Sequence, residues 1–445
     1  MTELSNGIRV CTEKSLGATA HVGVYVGAGS RQENLATTGS SYLLKKMLSR
    51  GTTSRTKGDI WDEITGLGAG YSAHADREYT SYGLTALRGD VGRAVGLLGD
   101  MVCNPALNPG ELEATKNEVS AEHESSHTRY LETTLENAHF NSFREHMMGQ
   151  PVKGDRDLTS TLTEDYLRDF HAANYVGDNV VIVGTGDINH DEFVDLVEQH
   201  FASLPKTSSA PVANQERPIY VPAILNLRDD EMVNSNVAVF YDAPSVKHED
   251  YYAFLLLKHI QGSYRIDQHA EHLNDVHKQY NALHTQLGNL PDVTRADCFY
   301  FAYSDAGLWG NYIYGNEVFT RQMNYCGVSM PTTYAHYMTD VEVIRGRNHL
   351  YNTLMNNETK RGVNKEIGQN ILQLGRRLPR SEIASRVAHI DNYHIKQLAN
   401  QWFYDAEPSF TNWGPIEQVS QVASYKYFKV NTLATVTNAH HTLFN

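Results

Sequence analysis

The sequence predicts an α+β chain made of two similarly built αβ halves, and three observations carry that prediction. A chain of 445 residues is too long for one hydrophobic core, since domains hold roughly 100–200 residues, which allows two to four of them. The pattern of elements starts again past the middle. Asn236-Val-Ala-Val-Phe-Tyr-Asp-Ala-Pro244 matches His21-Val-Gly-Val-Tyr-Val-Gly-Ala-Gly29, and a helix expected over 251–260 follows it as one over 40–49 follows the first. The offset is about 215 residues, close to half the chain, which a duplicated unit explains economically, two unrelated αβ domains being the alternative. Between the halves, residues 204–218 are Pro- and Ser-rich and aperiodic, the signature of a linker. The expected division is therefore an N-terminal domain over 1–205, a linker over 206–222 and a C-terminal domain over 223–445.

Each element has its own signal. Leu4 to Glu13 reads as a strand entry with Asn6-Gly7 as a turn before Ile8-Arg9-Val10. His21 to Val26 alternates as a strand and ends at Gly27-Ala28-Gly29. Helices are expected over 40–49 and 60–67, the second closed by Gly66 and Gly68. Two short strands follow over 71–85, around Asp76-Arg77-Glu78. Helices are expected over 92–102, as one long run over 109–135, and over 163–171. Asn179 to Gly186 is a buried strand, and 191–201 is amphipathic with Phe193, Val194, Val197 and Phe201 on one face. In the second half, 261–290 is polar and rich in His, Asn and Gln; Cys298 to Gly310 reads as strand, turn and strand; and 339–356 reads as a helix. The aromatic residues Phe299, Tyr300, Phe301 and Tyr303 read as strand core. Arg376 and Arg377 read as a helix cap or a surface carboxylate pair.

Composition narrows the function. Hydrophobic residues make up 41% and charged residues 20%, ordinary for a folded chain. A net charge of −14 argues against general nucleic-acid binding. Cys11, Cys103, Cys298 and Cys326 are scattered without a Cys-x-x-Cys pair and read as reduced thiols. No apolar run approaches the ~20 residues of a membrane helix. The first ten residues read as structure, with no Arg-rich presequence or signal peptide within this numbering.

The stretch with the most chemical content is Gly39 to Gly51, in which Tyr42, Lys45 and Lys46 have the spacing of a His-x-x-Glu-His motif. An inverted zinc site of that kind needs two imidazoles one helical turn apart and a carboxylate as base for the metal-bound water. Here the ligand positions hold Tyr42 and Lys46 and the base position holds Lys45. A lysine ammonium has no lone pair to give a metal. Taken alone, Lys45 and Lys46 are the wet face of an amphipathic helix.

With its flanks, Val22 to Glu33 before it and Arg50-Gly51-Thr52 after it, this stretch resembles the pitrilysin-type, inverted-zincin peptidases. Tyr303-Ser-Asp-Ala-Gly-Leu-Trp-Gly310, Ile367 to Pro379, and Trp402 to Asp405 with Gly414 to Glu417 extend the likeness along nearly the whole chain. They place it in the group formed by β-type mitochondrial processing-peptidase subunits and the core subunits of the cytochrome bc1 complex. The resemblance implies two homologous αβ halves of the processing-peptidase type, each a mixed sheet with helices on one side, enclosing a central cavity. It puts the family's third ligand, a glutamate, at Glu122, and an edge-strand asparagine at Ser72, a further departure. The glycine-rich loop of the α-type processing subunits has no counterpart over 261–290. With one ligand of three left, the expected chain is not an enzyme by itself and carries no zinc, haem, quinone or iron–sulfur group. It is expected to act as a scaffold and assembly subunit of respiratory complex III, peripheral on the matrix side of the mitochondrial inner membrane. The implied partners are a core-2-like subunit, over an obligate interface of roughly 2,000 Å² or more, together with cytochrome b, cytochrome c1, the Rieske protein and small subunits.

A rival signal is the literal His-Glu-x-x-His of His123, Glu124 and His127, with Glu145 as a candidate third ligand. On one continuous helix both imidazoles would share a face, as a zincin requires. It supports the alternative of a zinc metallopeptidase that processes presequences. A third reading is a peptide-binding module that keeps the cavity without the chemistry.

Overall fold

In the computed structural model, the structure describes residues 1–208, 216–265, 281–287, 290, 292–355 and 359–416. The polar stretch expected over 261–290, the linker and the motif ending at Glu417 thus lie in part outside the described residues. In chain order, strands β1 (Thr2–Glu3), β2 (Arg9–Lys14) and β3 (Thr19–Val26) lead to helices α1 (Ser40–Met47) and α2 (Lys57–Gly66). Strands β4 (Gly70–Ala75) and β5 (Thr80–Leu87) precede α3 (Val91–Cys103), α4 (Pro109–Glu124), α5 (Tyr130–Ser142), α6 (Arg156–Thr161) and α7 (Glu164–Asn174). Then come β6 (Val180–Gly186) and α8 (His190–Phe201). The second series is β7 (Ile224–Arg228), β8 (Asn234–Asp242), α9 (Tyr251–Gln261), β9 (Ser263–Arg265), α10 (Ala282–Leu287), β10 (Val293–Ala302) and β11 (Gly307–Asn316). It closes with α11 (Thr320–Tyr334), α12 (Asp340–Met355), α13 (Lys360–Leu374), α14 (Arg380–Ala388), α15 (Asn392–Trp402) and β12 (Ser409–Gly414).

Each series builds one six-stranded mixed sheet, ordered β1-β2-β6-β3-β5-β4 in the first and β7-β12-β8-β11-β10-β9 in the second. Five strands correspond one to one. In each sheet the first strand of the shared set runs parallel to the last-formed strand, β2 with β6 and β7 with β12. Every other pair in the shared set is antiparallel. The repeated sequence stretches sit on equivalent strands, β3 and β8, so the duplication read from the sequence is a duplication of topology.

The compact units are discontinuous in sequence, unlike the contiguous halves expected. One comprises residues 1–128, 145–218 and 354–379; the other comprises 129–144, 219–353 and 380–445. Helix α13 of the second series thereby packs on β3 and β6 of the first sheet, and α5 of the first series packs on β8 and β12 of the second. The exchange is reciprocal, and one chemical device recurs in both cases. Asn364 on α13 is fully buried, with Nδ2 at 2.8 Å from the Val183 carbonyl and 3.2 Å from that of His21, while its Oδ1 accepts from the Tyr25 hydroxyl at 2.8 Å. Asn141 on α5 is fully buried as well, with Nδ2 at 2.8 Å from the Phe410 carbonyl and 3.0 Å from that of Ala223.

Helix α13 gives the first sheet a second covered face. Strand alternation sends Val22, Val24, Val26, Val180 and Ile182 into the main core with Leu43, Leu44, Val95 and Leu98. It sends Cys11, Tyr25, Val181 and Val183 against Ile367 and Ile371 of α13. A sheet covered on both sides reads as an unbroken apolar run, as 180–183 does. The aromatic stretch of β10 packs within its own unit: Phe301 stacks edge-on to His139 of α5 at 4.7 Å, and the Tyr300 hydroxyl donates to the Pro244 carbonyl.

The long helix expected over 109–135 is broken. α4 ends at Glu124, a 3-10 turn covers Ser125–Thr128, and α5 starts at Tyr130 in the other unit. Its charge-rich sequence carries no strong apolar stripe that would fix its continuity, so tertiary packing sets where it stops. Among the described residues, no helix is long and apolar enough to cross a membrane.

Candidate functional site

The site is built where α1 packs against α4. α1 buries Leu43, Leu44 and Met47, so the intervening Tyr42, Lys45 and Lys46 project along its other side. Its start is fixed by Gly39, whose φ of 90° is a left-handed conformation that a Cβ would strain. The Glu33 carboxylate then accepts from the N–H of Gly39 and of Ser41, both at 2.7 Å. Two backbone donors at a helix start are an ordinary carboxylate perch. Complete burial nevertheless pushes the Glu33 carboxyl up to about 7, with those hydrogen bonds opposing.

α4 buries Leu112, Thr115 and Val119, and the Thr115 hydroxyl touches the Met47 sulfur at 3.3 Å. This register sets Glu118 and Glu122, one turn apart, beside α1. The Tyr42 hydroxyl donates to Glu122 Oε2 at 2.6 Å, and Lys46 Nζ donates to Glu122 Oε1 at 2.7 Å. Lys46 also reaches Glu118 at 3.5 Å, while Arg50 joins Glu118 at 2.5 Å and Glu111 at 3.2 Å. Burial raises the Glu122 carboxyl, but the bonds from Lys46 and Tyr42 and the charges of Lys46 and Lys153 outweigh it and hold it below its ordinary value.

The structure thus brings together the metal-site positions that the resemblance singled out, Tyr42, Lys45, Lys46 and Glu122. What it corrects is the wet-face reading. The Lys46 side chain is only 19% exposed, and Lys45 is half-buried with Nζ 3.6 Å from the centroid of the Tyr42 ring. Burial, then the Lys46 charge, bring the Lys45 amine down to about 8. Both Glu122 oxygens are taken, one by an ammonium standing where a cation would bind. Among the described residues, no three His, Cys, Asp or Glu side chains converge to hold a metal ion.

The rival motif is not laid out as a zincin needs. The α-helix stops at Glu124 and His127 lies in the 3-10 turn, so the two histidine positions do not share one continuous α-helix. Glu124 pairs with Arg156 at 2.6 Å, and Glu145 falls in an exposed turn beyond α5. Ser72, on edge strand β4, lies 3.4 Å from the Gly83 carbonyl. Arg377 makes a surface pair with Glu13 at 2.5 Å. The four cysteines are free thiols.

Two contributors escaped the sequence reading. Glu33 ends the quoted stretch before α1, but its burial depends on the return of the chain to it at Gly39 and Ser41, six and eight residues on, which has no sequence signal. Glu118 is spaced i,i+4 from Glu122 and was legible in principle.

Comparison with known proteins follows the same lines. The insulinase family of peptidases (family M16) matches over residues 9–156, and the M16 inactive domain matches over 161–325. Together these span more than half of the chain. It belongs to the M16 peptidase family. Among M16 relatives, the mitochondrial cytochrome b-c1 complex subunit 1 of Bos taurus is 27% identical over 422 residues, covering 94% of this chain and 87% of its own. The mitochondrial-processing peptidase subunit beta of Neurospora crassa is also 27% identical over 422 residues, covering 94% and 88%. A chain in the structure of complex III2 from Candida albicans, Inz-5 bound, shares the fold with a TM-score of 0.83 at 20% identity, covering 97% of this chain and 99% of that one. Identity alone does not separate the two kinds of relative.

Proposed function

We propose that this chain is a non-catalytic core subunit of a complex III assembly, a scaffold that has kept the M16 fold and lost its chemistry. The observation that carries this is the Lys46 ammonium, 2.7 Å from the one remaining acidic ligand position, Glu122. A metal at that point would have to displace a bound cation and would find a phenol and two amines in place of two imidazoles and a carboxylate base. The relatives named as cytochrome b-c1 complex subunit 1 support the same role. In that role the chain sits peripherally on the matrix side of the mitochondrial inner membrane. It pairs with a core-2-like subunit and contacts cytochrome b, cytochrome c1, the Rieske protein and the small subunits.

The competing reading, a presequence-processing zinc peptidase, draws on relatives named as processing-peptidase subunit beta. The two part in one experiment: zinc content and presequence cleavage by the purified chain, alone and with its core-2-like partner, beside His123→Ala/His127→Ala. The scaffold reading expects neither stoichiometric zinc nor cleavage, and expects the chain to co-purify with complex III. About one zinc per chain, with cleavage that the double variant loses, would establish the peptidase instead.

A further inference from the structure

His259 on α9 and His349 on α12 are 90 residues apart in sequence, yet their Nδ1 atoms stand 3.1 Å apart and their ring centroids 5.0 Å apart. Both residues belong to the second compact unit. Gly346 lets the two helices come this close. It lies one turn before His349, and a Cβ there would stand 3.1 Å from the Ile260 nitrogen and closer still to the Ile260 side chain. The pair opens on a cavity of about 450 Å³ between α9, α10, α12 and the end of α11. That is room for ordered waters or a small ligand.

As it stands the contact is a hydrogen bond, with one Nδ1–H donating to the other Nδ1. Its dimensions are also those of a metal-binding pair. Two imidazoles bound at about 2.0–2.1 Å to one tetrahedral ion have nitrogens about 3.3 Å apart and centroids about 5.2 Å apart. The observed separations differ from these by only about 0.2 Å, which a small side-chain rotation closes. Burial, then the charges of His349 and Lys258, lower the His259 imidazole to about 4, and burial lowers His349 as well. Both rings are therefore neutral at pH 7, the form that binds metals. Among the described residues no third His, Cys, Asp or Glu joins the pair. Glu342 lines the same cavity, but it precedes His349 by two turns, about 10.5 Å along α12, and its Oε2 accepts from the Thr339 N–H and hydroxyl. Arg345, one turn before His349, also lines the cavity, and its charge weakens the hold on a dication.

We propose that His259 and His349 together bind a divalent transition ion of the zinc class through Nδ1, its other positions left to water or a small ligand in the cavity. Imidazole ligands favour zinc-like ions over magnesium and calcium, which take oxygen ligands. Binding moves the shared proton from Nδ1 to Nε2 of the donor ring and releases none. Two protein ligands hold an ion loosely, so the site fills with added metal and empties on dialysis. It is separate from the Glu122 position and does not depend on the assembly role.

Histidine acylation tests it residue by residue, as a chain with 21 histidines requires. The full chain is treated with limiting diethyl pyrocarbonate at about pH 7 under rising zinc, or magnesium at the same concentrations, and labelling is read by mass spectrometry. Metal on Nδ1 leaves both Nε2 atoms protonated and unreactive. At free zinc of about twice Kd, two-thirds occupancy slows labelling of the pair about threefold, with one midpoint for both residues. Magnesium has no such effect, and the exposed His336 is unchanged in either salt. Labelling of the pair that ignores zinc overturns the proposal. Zinc calorimetry gives the second arm. His259→Gln and His349→Gln each lose one binding event, the double variant loses that same one, and His336→Gln and His123→Ala/His127→Ala keep it. A folded single variant that keeps every event, or a double variant that loses two, also overturns the proposal. The labelling decides alone where a variant does not fold, and the calorimetry where the reagent does not reach the pair.

Discussion

The Tyr42 hydroxyl donates to the Glu122 carboxylate at 2.6 Å, joining two positions at which the resemblance to the inverted zincins expects metal ligands. An O–H···O⁻ bond of this length is charge-assisted and among the stronger hydrogen bonds a protein makes. The site is partly exposed, which discounts its worth to about 1–2 kcal/mol. Tyr42→Phe is expected to lose that much in urea unfolding, and Glu122→Gln at least as much because Lys46 keeps only Glu118. The double variant should lose less than the sum, with a coupling of about 1 kcal/mol. Strict additivity would show that the bond contributes nothing.

Because Glu122 already stands beside α1, the missing ligands are missing by identity rather than by position. Tyr42→His, Lys45→Glu and Lys46→His together would put two imidazoles one turn apart on α1, with a carboxylate between them in sequence. The triple variant is expected to retain about one zinc per chain after dialysis, and to lose it on Glu122→Gln. Metal analysis of the two chains decides. A zinc-free triple variant would mean that α1 and α4 are spaced for the Lys46–Glu122 bond and no longer for a metal.

How much of this was legible follows from the range of the interactions. The strands around Val22 to Val26 and Val180 to Val183 announce themselves because alternation and apolar runs are local patterns. Tyr42, Lys45, Lys46 and Glu122 were legible only through resemblance, since the 76 residues between Lys46 and Glu122 hide their contact. The exchange of α5 and α13 had no signal at all. Asn141 and Asn364 are ordinary polar residues in polar helices, and only the carbonyls they meet, up to 269 residues away for Asn141, make them buried anchors. The break after Glu124 was missed for the same reason: the helix ends where its chain crosses to the other unit.

Glu33 gives a pH dependence with a definite sign. Its carboxyl is raised from an ordinary value of 4.5 to about 7 in the fold. Between those values the folded chain holds a proton that the unfolded chain has released. The associated stability is therefore full below about pH 4.5 and lost as pH rises through about 7, on the order of 3 kcal/mol at most. Glu33→Gln stays neutral throughout and lacks this slope. Urea unfolding of both chains at pH 5 and pH 8 should show the wild-type advantage shrinking by about 2–3 kcal/mol at the higher pH. Parallel curves would rule out a buried, protonatable Glu33.

The exchanged helices should depend on their asparagines. Replacing Asn364 by Leu removes the donor to the Val183 and His21 carbonyls and the acceptor for the Tyr25 hydroxyl, all inside a buried face. Each group left unpaired costs about 1–3 kcal/mol, and the added apolar volume has no cavity to fill, because Gly23 on β3 already approaches the Asn364 side chain closely. Asn141→Leu does the same to the Phe410 and Ala223 carbonyls under α5. Both variants are expected to lower stability by about 3 kcal/mol, measured by denaturant unfolding. Hydrogen exchange separates local from global effects. Asn364→Leu should expose the amides of α13 first, while those of β8 and β12 in the other unit keep their protection. Asn141→Leu should do the reverse, freeing α5 and sparing β3 and β6. If both variants instead loosened both helices equally, each helix would owe its docking to something other than its own buried asparagine.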